Sequence, residues 1–308
     1  MTKKLALFTL AAALIMGSCA RVRNIPQVEN ICELSSPDGI LSLSFQLTED
    51  GTPRYALQWQ GEDVVLPSRL GFELRGSLRP SVMKQNPDGS FEKADDRPCY
   101  SFSDSFKLTG TIKNSLDETW ETVWGEEKHI RNHYNELLVQ LQHVSGHRMD
   151  IRFRLYDDGL GFRYEFPGDP TLGYFVIKEE KTEFAMAGDH TAWWIPGDLS
   201  SQEYEYTTSR LSEIHSHMAD RASRGAGTSF FSLDGVQTSL QMKTDSGLYL
   251  NIHEAALVNY PCMHLTYDAG ARTFTSFLTP DAQGWKGYMQ APCHTPWRTV
   301  QVCGSAVE

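Results

Sequence analysis

MDIRFRLYDDGLGFRYEF, residues 149–166, is a β-hairpin written out in full. Met149, Ile151, Phe153 and Leu155 alternate with Asp150, Arg152, Arg154 and Tyr156, the period of a strand with one buried face. Asp157-Asp158-Gly159 turns the chain, and Leu160, Phe162, Tyr164 and Phe166 bring it back with the same period. Upstream, Leu41, Leu43, Phe45 and Leu47 alternate with Ser42, Ser44, Gln46 and Thr48. Asp50-Gly51 then turns the chain into Tyr55, Leu57 and Trp59. Downstream, Asp245-Ser246-Gly247 precedes Leu248, Leu250 and Ile252. Helical spacing is confined to one short stretch, Leu211–Arg224. The chain is therefore expected to be all-β, a large antiparallel sandwich, with residues 76–117 as an irregular, polar excursion.

The 308 residues carry a formal net charge of −11 without basic clusters, which disfavours nucleic acid and anionic membrane surfaces as partners. Lys3 and Lys4, the apolar run Leu5–Met16 and the small pair Gly17-Ser18 before Cys19 read as an export signal, too short to span a bilayer. The MGSC ending resembles a bacterial lipoprotein box, which makes Cys19 the lipidated residue; an ordinary secretory signal is the alternative. Residues 1–18 are then the signal peptide and 19–30 a lipidated tether, and the protein is expected in the periplasm or outer membrane of a Gram-negative bacterium, touching membrane only through that lipid. Beyond Cys19 the cysteines are Cys32, Cys99, Cys262, Cys293 and Cys303, an odd number with no CxxC, so zinc and dithiol redox chemistry are weak readings.

Three stretches carry possible chemistry. In Ala192–Ile214, AWWIPGDLSSQEYEYTTSRLSEI, a strand over Gln202–Tyr206 would place Glu203 and Glu205 on one face and Tyr204 and Tyr206 on the other. The glutamates are then either a solvated face over a tyrosine core or ligands to a hard cation such as calcium. The adjacent Trp193 and Trp194 offer flat apolar surface to a sugar ring. Trp124–Asn135, WGEEKHIRNHYN, is dense in polar groups and reads as a solvated strand or a network at a domain seam. His253, Glu254 and His264 invite comparison with an epimerase, but neighbours on one strand face opposite ways, so His253 and Glu254 cannot converge on one ring. No nucleophile elbow, phosphate loop, HExxH or EF-hand loop is present.

Several blocks in order, SPDG (Ser36–Gly39), LPSRLGFEL (Leu66–Leu74), ETWETVWGEEKHIRNHYNEL (Glu118–Leu137), DDGLGFRYEF (Asp157–Phe166), the Ala192–Ile214 segment, LVNYPCM (Leu257–Met263) and TPWRTV (Thr295–Val300), resemble the N-terminal domain of glycoside hydrolase family 97. The family comprises α-glucosidases and α-galactosidases, and the resemblance spans nearly all of the chain after the signal. Cys262 departs from it, standing where the family more usually has glycine.

The resemblance implies a galactose mutarotase-like β-supersandwich over residues 31–297, with 298–308 as the start of a linker to a catalytic (β/α)8 barrel. That barrel would hold the acid and base and follow directly after TPWRTV; the chain ends instead at Glu308, which is read as a truncation. It also implies that Glu203 supplies one carboxylate to an active-site calcium shared with the barrel, with Glu205 next in line, and that the substrate is an oligosaccharide or glucan. The expected function is thus the carbohydrate-binding N-terminal domain of a calcium-dependent α-glycosidase, inactive without its barrel. A free-standing carbohydrate-binding lipoprotein and an aldose-epimerase-like enzyme are the alternatives.

Overall fold

The computed structural model describes residues 31–76, 82–94, 99–169 and 172–306. The signal, the tether and Cys19 lie outside the described residues. Two large antiparallel sheets carry the fold. One has eight strands in the order 31–35, 41–47, 53–59, 62–69, 183–186, 273–278, 263–268 and 235–237. The other has ten: 207–210, 191–194, 240–243, 249–255, 297–303, 159–166, 148–156, 129–143 and 106–121 in order, with the short 293–294 pairing beside 159–166. A four-stranded sheet (287–290, 174–180, 72–76, 99–102) adjoins them. Ile214–Arg224 is the α-helix, continuing a single 3-10 turn at Leu211–Glu213.

The 149–166 hairpin sits in the ten-stranded sheet as its alternation requires. Phe153 pairs with Phe162, Ile151 with Tyr164 and Leu155 with Leu160, so both apolar sets share one buried face. These rings meet others from the eight-stranded sheet: Phe45 with Phe153 at 6.1 Å between centroids, and Tyr55 with Phe162 at 5.0 Å. Phe72 carries the chain of contacts to Tyr164 at 4.6 Å. Tilted and edge-on pairs of this kind add about 0.5–1.5 kcal/mol each to the area they bury. Gly159 is required by close approach, because a Cβ there would lie 2.6 Å from the Val300 carbonyl oxygen.

Residues 76–117 are more ordered than expected. Val82–Gln85 and Phe91–Ala94 form a separate two-stranded hairpin, and Cys99–Phe102 joins the four-stranded sheet. From Phe106 the chain is a strand of 16 residues, Phe106–Glu121, paired along His129–His143. The outer end of this pair, residues 117–121 with 129–133, is a projecting arm beyond the neighbouring strand 148–156, largely solvated on both faces, so no alternation marks it. Trp124 and Val123 at its tip are almost fully exposed.

The expected boundary after residue 297 falls inside the sandwich. Trp297–Cys303 is a central strand between 249–255 and 159–166, with Val300 and Val302 buried. Arg298 has no solvent exposure. Its guanidinium donates two bonds to Glu180, at 2.8 and 2.7 Å, and one to Glu254 at 2.6 Å. Glu180 also accepts from Thr182 and Tyr260, both at 2.8 Å, and Glu254 accepts the Met263 N–H at 3.0 Å. Burial alone would raise the Glu180 pKa, yet Arg298 and the two hydroxyl donors outweigh it and hold the carboxyl below its ordinary value.

Candidate functional site

The segment that begins at Ala192 leaves the ten-stranded sheet at its edge. Thr191–Trp194 pairs with both Thr207–Arg210 and Leu240–Lys243. Alternation sends Trp194 inward, where it is 1% exposed and donates its indole N–H to Ser209 Oγ at 3.0 Å. Trp194 is therefore a core residue and cannot meet a sugar, contrary to the sequence expectation. Trp193 points to the opposite face and is half-buried, so the two indoles form no common platform.

Pro196-Gly197-Asp198 then turns the chain. Gly197 lies under the Phe231 ring, 2.4 Å from where a Cβ would stand. Asp198 is 1% exposed, and its carboxylate accepts five hydrogen bonds. Oδ1 takes the N–H groups of Ser200 and Ser201 and the Ser200 hydroxyl; Oδ2 takes the Tyr204 hydroxyl and the Ser229 N–H, both at 2.9 Å. Burial pushes this carboxyl up, and the surrounding donors pull it further down, so it stays ionised.

Gln202–Tyr206 is not a strand. The chain there is an irregular loop, and strand geometry resumes at Thr207. Tyr204 is drawn onto Asp198 and packs over Gly225 and Gly227, where any Cβ would collide with its ring. Tyr206 is 64% exposed. The expected tyrosine face therefore does not exist: the grip of Asp198 on Tyr204 overrides the alternation. Both glutamates reach solvent, and among the described residues neither makes an ion pair. They differ in how they are held. Glu203 donates its N–H to Ser201 Oγ at 3.0 Å and accepts the Ala226 N–H on its carbonyl at 3.2 Å. Its backbone is thus fixed on both sides while its carboxylate stays unengaged.

Gln237 braces the loop from beneath. Its Nε2 donates to the carbonyls of Asp198 (2.8 Å) and Ser201 (3.1 Å), which leaves Oε1 to accept from His264 Nδ1 at 2.6 Å. His264 Nε2 then accepts from the Thr279 hydroxyl at 3.0 Å. Burial lowers the His264 pKa to about 4, so the ring is neutral near pH 7. Cys262 lies against the same group, its Sγ 3.0 Å from Thr279 Oγ1. Asp198 and Gln237 were not singled out in the sequence, and His264 was weighed there only as part of an epimerase-like set. The available signal was the Pro-Gly-Asp-Leu-Ser-Ser run, an aspartate placed to catch the next amides.

An epimerase-like site does not assemble. His253 is exposed on one face of its strand, Glu254 is committed to Arg298 and Met263 on the other, and both His264 nitrogens are engaged. In the WGEEKHIRNHYN block, Arg131 forms a two-pronged pair with Asp117 and Asn132 donates to Glu118, across the projecting arm. Further along the strand, Glu136 is buried between Arg152 (2.6 Å) and Arg154 (3.0 Å). Among the described residues no three His, Cys, Asp or Glu side chains converge as a metal site. Glu203 and Glu205 by themselves cannot enclose a calcium ion, which takes six to eight oxygens.

Residues 34–308 match the family model for the glycosyl-hydrolase 97 N-terminal domain. A retaining alpha-galactosidase of Bacteroides thetaiotaomicron is 24% identical over 266 residues, covering 82% of this chain and 33% of that protein. A family 97 enzyme from Pseudoalteromonas sp. strain K8, solved in complex with acarbose, superposes with a TM-score of 0.71 at 31% identity, over 90% of this chain and 36% of that one. A beta-arabinopyranosidase shares the fold at a TM-score of 0.67 and 19% identity, over 89% of this chain and 40% of that one. The chain thus spans about a third of the length of the alpha-galactosidase and of the Pseudoalteromonas enzyme. It belongs to the glycosyl-hydrolase 97 N-terminal family.

Proposed function

We propose that this domain completes the active site of an exported, calcium-dependent α-glycosidase by presenting Glu203 to a (β/α)8 barrel that holds the catalytic acid and base. The supporting observation is the way Glu203 is held. Its backbone is bonded on both sides within a loop that Asp198 anchors through five donors, while its carboxylate makes no ion pair among the described residues. A rigid backbone with an unengaged charge suits a ligand that must meet a cation from another domain. Glu205 is two residues further along the loop and less constrained, which makes it the fallback. Calcium bound there would stabilise negative charge developing on a sugar oxygen. This chain's part is to fix one carboxylate of the shell and to hold the loop against Gln237 and the neutral His264. Oligosaccharide is the proposed substrate, and a lipid on Cys19 the proposed tether to the membrane.

The test uses this chain and a full-length family member carrying the same Gln-Glu-Tyr-Glu-Tyr segment. Calorimetry on this chain should give weak or no calcium binding. In the full-length enzyme, glutamine at the Glu203 position should lower activity in a way that excess calcium partly restores, and the same change at the Glu205 position should do less. Tight binding by this chain, or full activity after the change at Glu203, would reduce the glutamates to a solvated face.

A further inference from the structure

The outward face of the ten-stranded sheet carries a second set of residues that Glu203 and its loop do not use. Directly paired residues share a face, so the pairings Trp193–Gln241, Gln241–Asn251, Asn251–Gln301 and Gln301–Gly159 line up one row across five strands. Where the row reaches Gly159, the projecting arm rises beside it and a cleft of about 340 Å³ opens. Trp120 of the arm, half-exposed and paired with Ile130, forms its wall. Gly159 and Gly161 form a floor without side chains, and Thr299, Gln301 and Asp158 supply hydroxyl, amide and carboxylate groups. A smaller cleft of about 80 Å³ continues from it, sharing Asp158 and Gln301 and adding Asn251 and Tyr249.

We propose that this cleft is a binding site for a neutral oligosaccharide, distinct from the loop that carries Glu203. Three features select that chemistry. A bare glycine floor beside a half-exposed indole accepts a flat ring with one apolar face, as a pyranose presents. The cleft's arginine, Arg131, is already spent on Asp117 through bonds of 2.8 Å each, while Asp158 is exposed, so an anionic ligand finds no unneutralised cation. The polar groups are set up for hydroxyls: Gln301 Oε1 accepts from Asn251 at 2.9 Å, leaving its Nε2 as a donor, and Asn251 Oδ1 is buried without a partner. The sequence pointed to Trp193 and Trp194 as the sugar platform; the fold moves that role to Trp120.

The inference rests on the family reading only for the choice of sugars. The test is calorimetric titration of the chain with maltotriose and with raffinose, in EDTA so that no calcium site contributes. The wild type should bind at least one of them with a dissociation constant of about 0.1–5 mM, typical of a shallow site. Trp120→Ala, at an exposed position, should weaken binding at least tenfold. Gly161→Ala should do the same by raising the floor; its Cβ would meet nothing nearer than Trp297 at 3.5 Å, so the fold tolerates it. Unchanged far-UV circular dichroism and urea midpoints establish that both variants are folded. No heat from either sugar up to about 20 mM, or equal binding by folded wild type and variants, overturns the cleft. Because calcium is absent, that failure is separate from any failure of the Glu203 site.

Discussion

Replacing Arg298 with methionine should be among the most damaging single changes in the chain. The side chain has no exposure and makes three charge-assisted hydrogen bonds, two to Glu180 and one to Glu254. Methionine fills much of the volume but leaves two buried carboxylates facing each other without a cation. Removing one partner of a buried ion pair costs about 3–5 kcal/mol, out of a total stability of about 5–15 kcal/mol. The pH dependence gives the mechanism a second signature. In the wild type the Glu180 pKa is lowered, so its contribution is present above the unfolded-state pKa and is lost as pH falls through the folded value. In Arg298→Met the Thr182 and Tyr260 hydroxyls remain but the cation is gone, so burial prevails, the folded pKa rises above the unfolded one, and acid relieves the strain. The gap between the two proteins should therefore be widest near pH 7.5 and narrow toward about pH 4.5. Urea unfolding followed by tryptophan fluorescence at both pH values measures this. Arg298→Lys should fall between, keeping charge but losing the two-pronged geometry. A difference below about 0.5 kcal/mol at pH 7.5, within the usual range for a surface change, would show that Trp297–Cys303 is not the central, pinned strand described above.

Three further expectations concern other parts of the molecule. His264 has a folded pKa of about 4, below its unfolded value, so it stabilises fully above about pH 6.5 and that contribution declines as pH falls toward 4, by at most about 3 kcal/mol; His264→Gln should flatten the unfolding free energy over that window, and an unchanged pH slope would argue against a buried neutral ring. Trp194→Ala should cost about 3–5 kcal/mol and Trp193→Ala under about 1 kcal/mol, measured by the same urea unfolding, since only the first opens a core cavity; equal losses would contradict their opposite facing. Metabolic labelling with a fatty acid in the native host should tag the wild type and not Cys19→Ser, and equal labelling of both would remove the lipid tether.

The hairpin at 149–166 was legible because two signals agree there, strict alternation and an Asp-Asp-Gly turn, and because one face is buried along its whole length. The same rule failed at Gln202–Tyr206. Alternation of glutamate and tyrosine states only which residues would share a face if the segment were extended, and Asp198 is positioned to pull Tyr204 out of that geometry. The long strand Phe106–Glu121 was invisible for the reverse reason: its outer end is largely solvated on both faces, so extended backbone leaves no periodic trace. Arg298 could not be read as a core residue, since the two carboxylates that neutralise it lie 118 and 44 residues away in the chain. The two glutamates were visible as residues, but their different restraint was not, because it depends on Ser201 and on Ala226, two residues past the end of the helix.

The most direct measurement of the central claim is a crystal structure of a full-length family member carrying the same Gln-Glu-Tyr-Glu-Tyr segment, grown with calcium. A carboxylate oxygen of the residue matching Glu203 should lie about 2.3–2.6 Å from the ion, with the remaining protein ligands contributed by the barrel. A calcium whose shell is complete without that residue, its carboxylate turned to solvent beyond about 4 Å, would contradict the assignment.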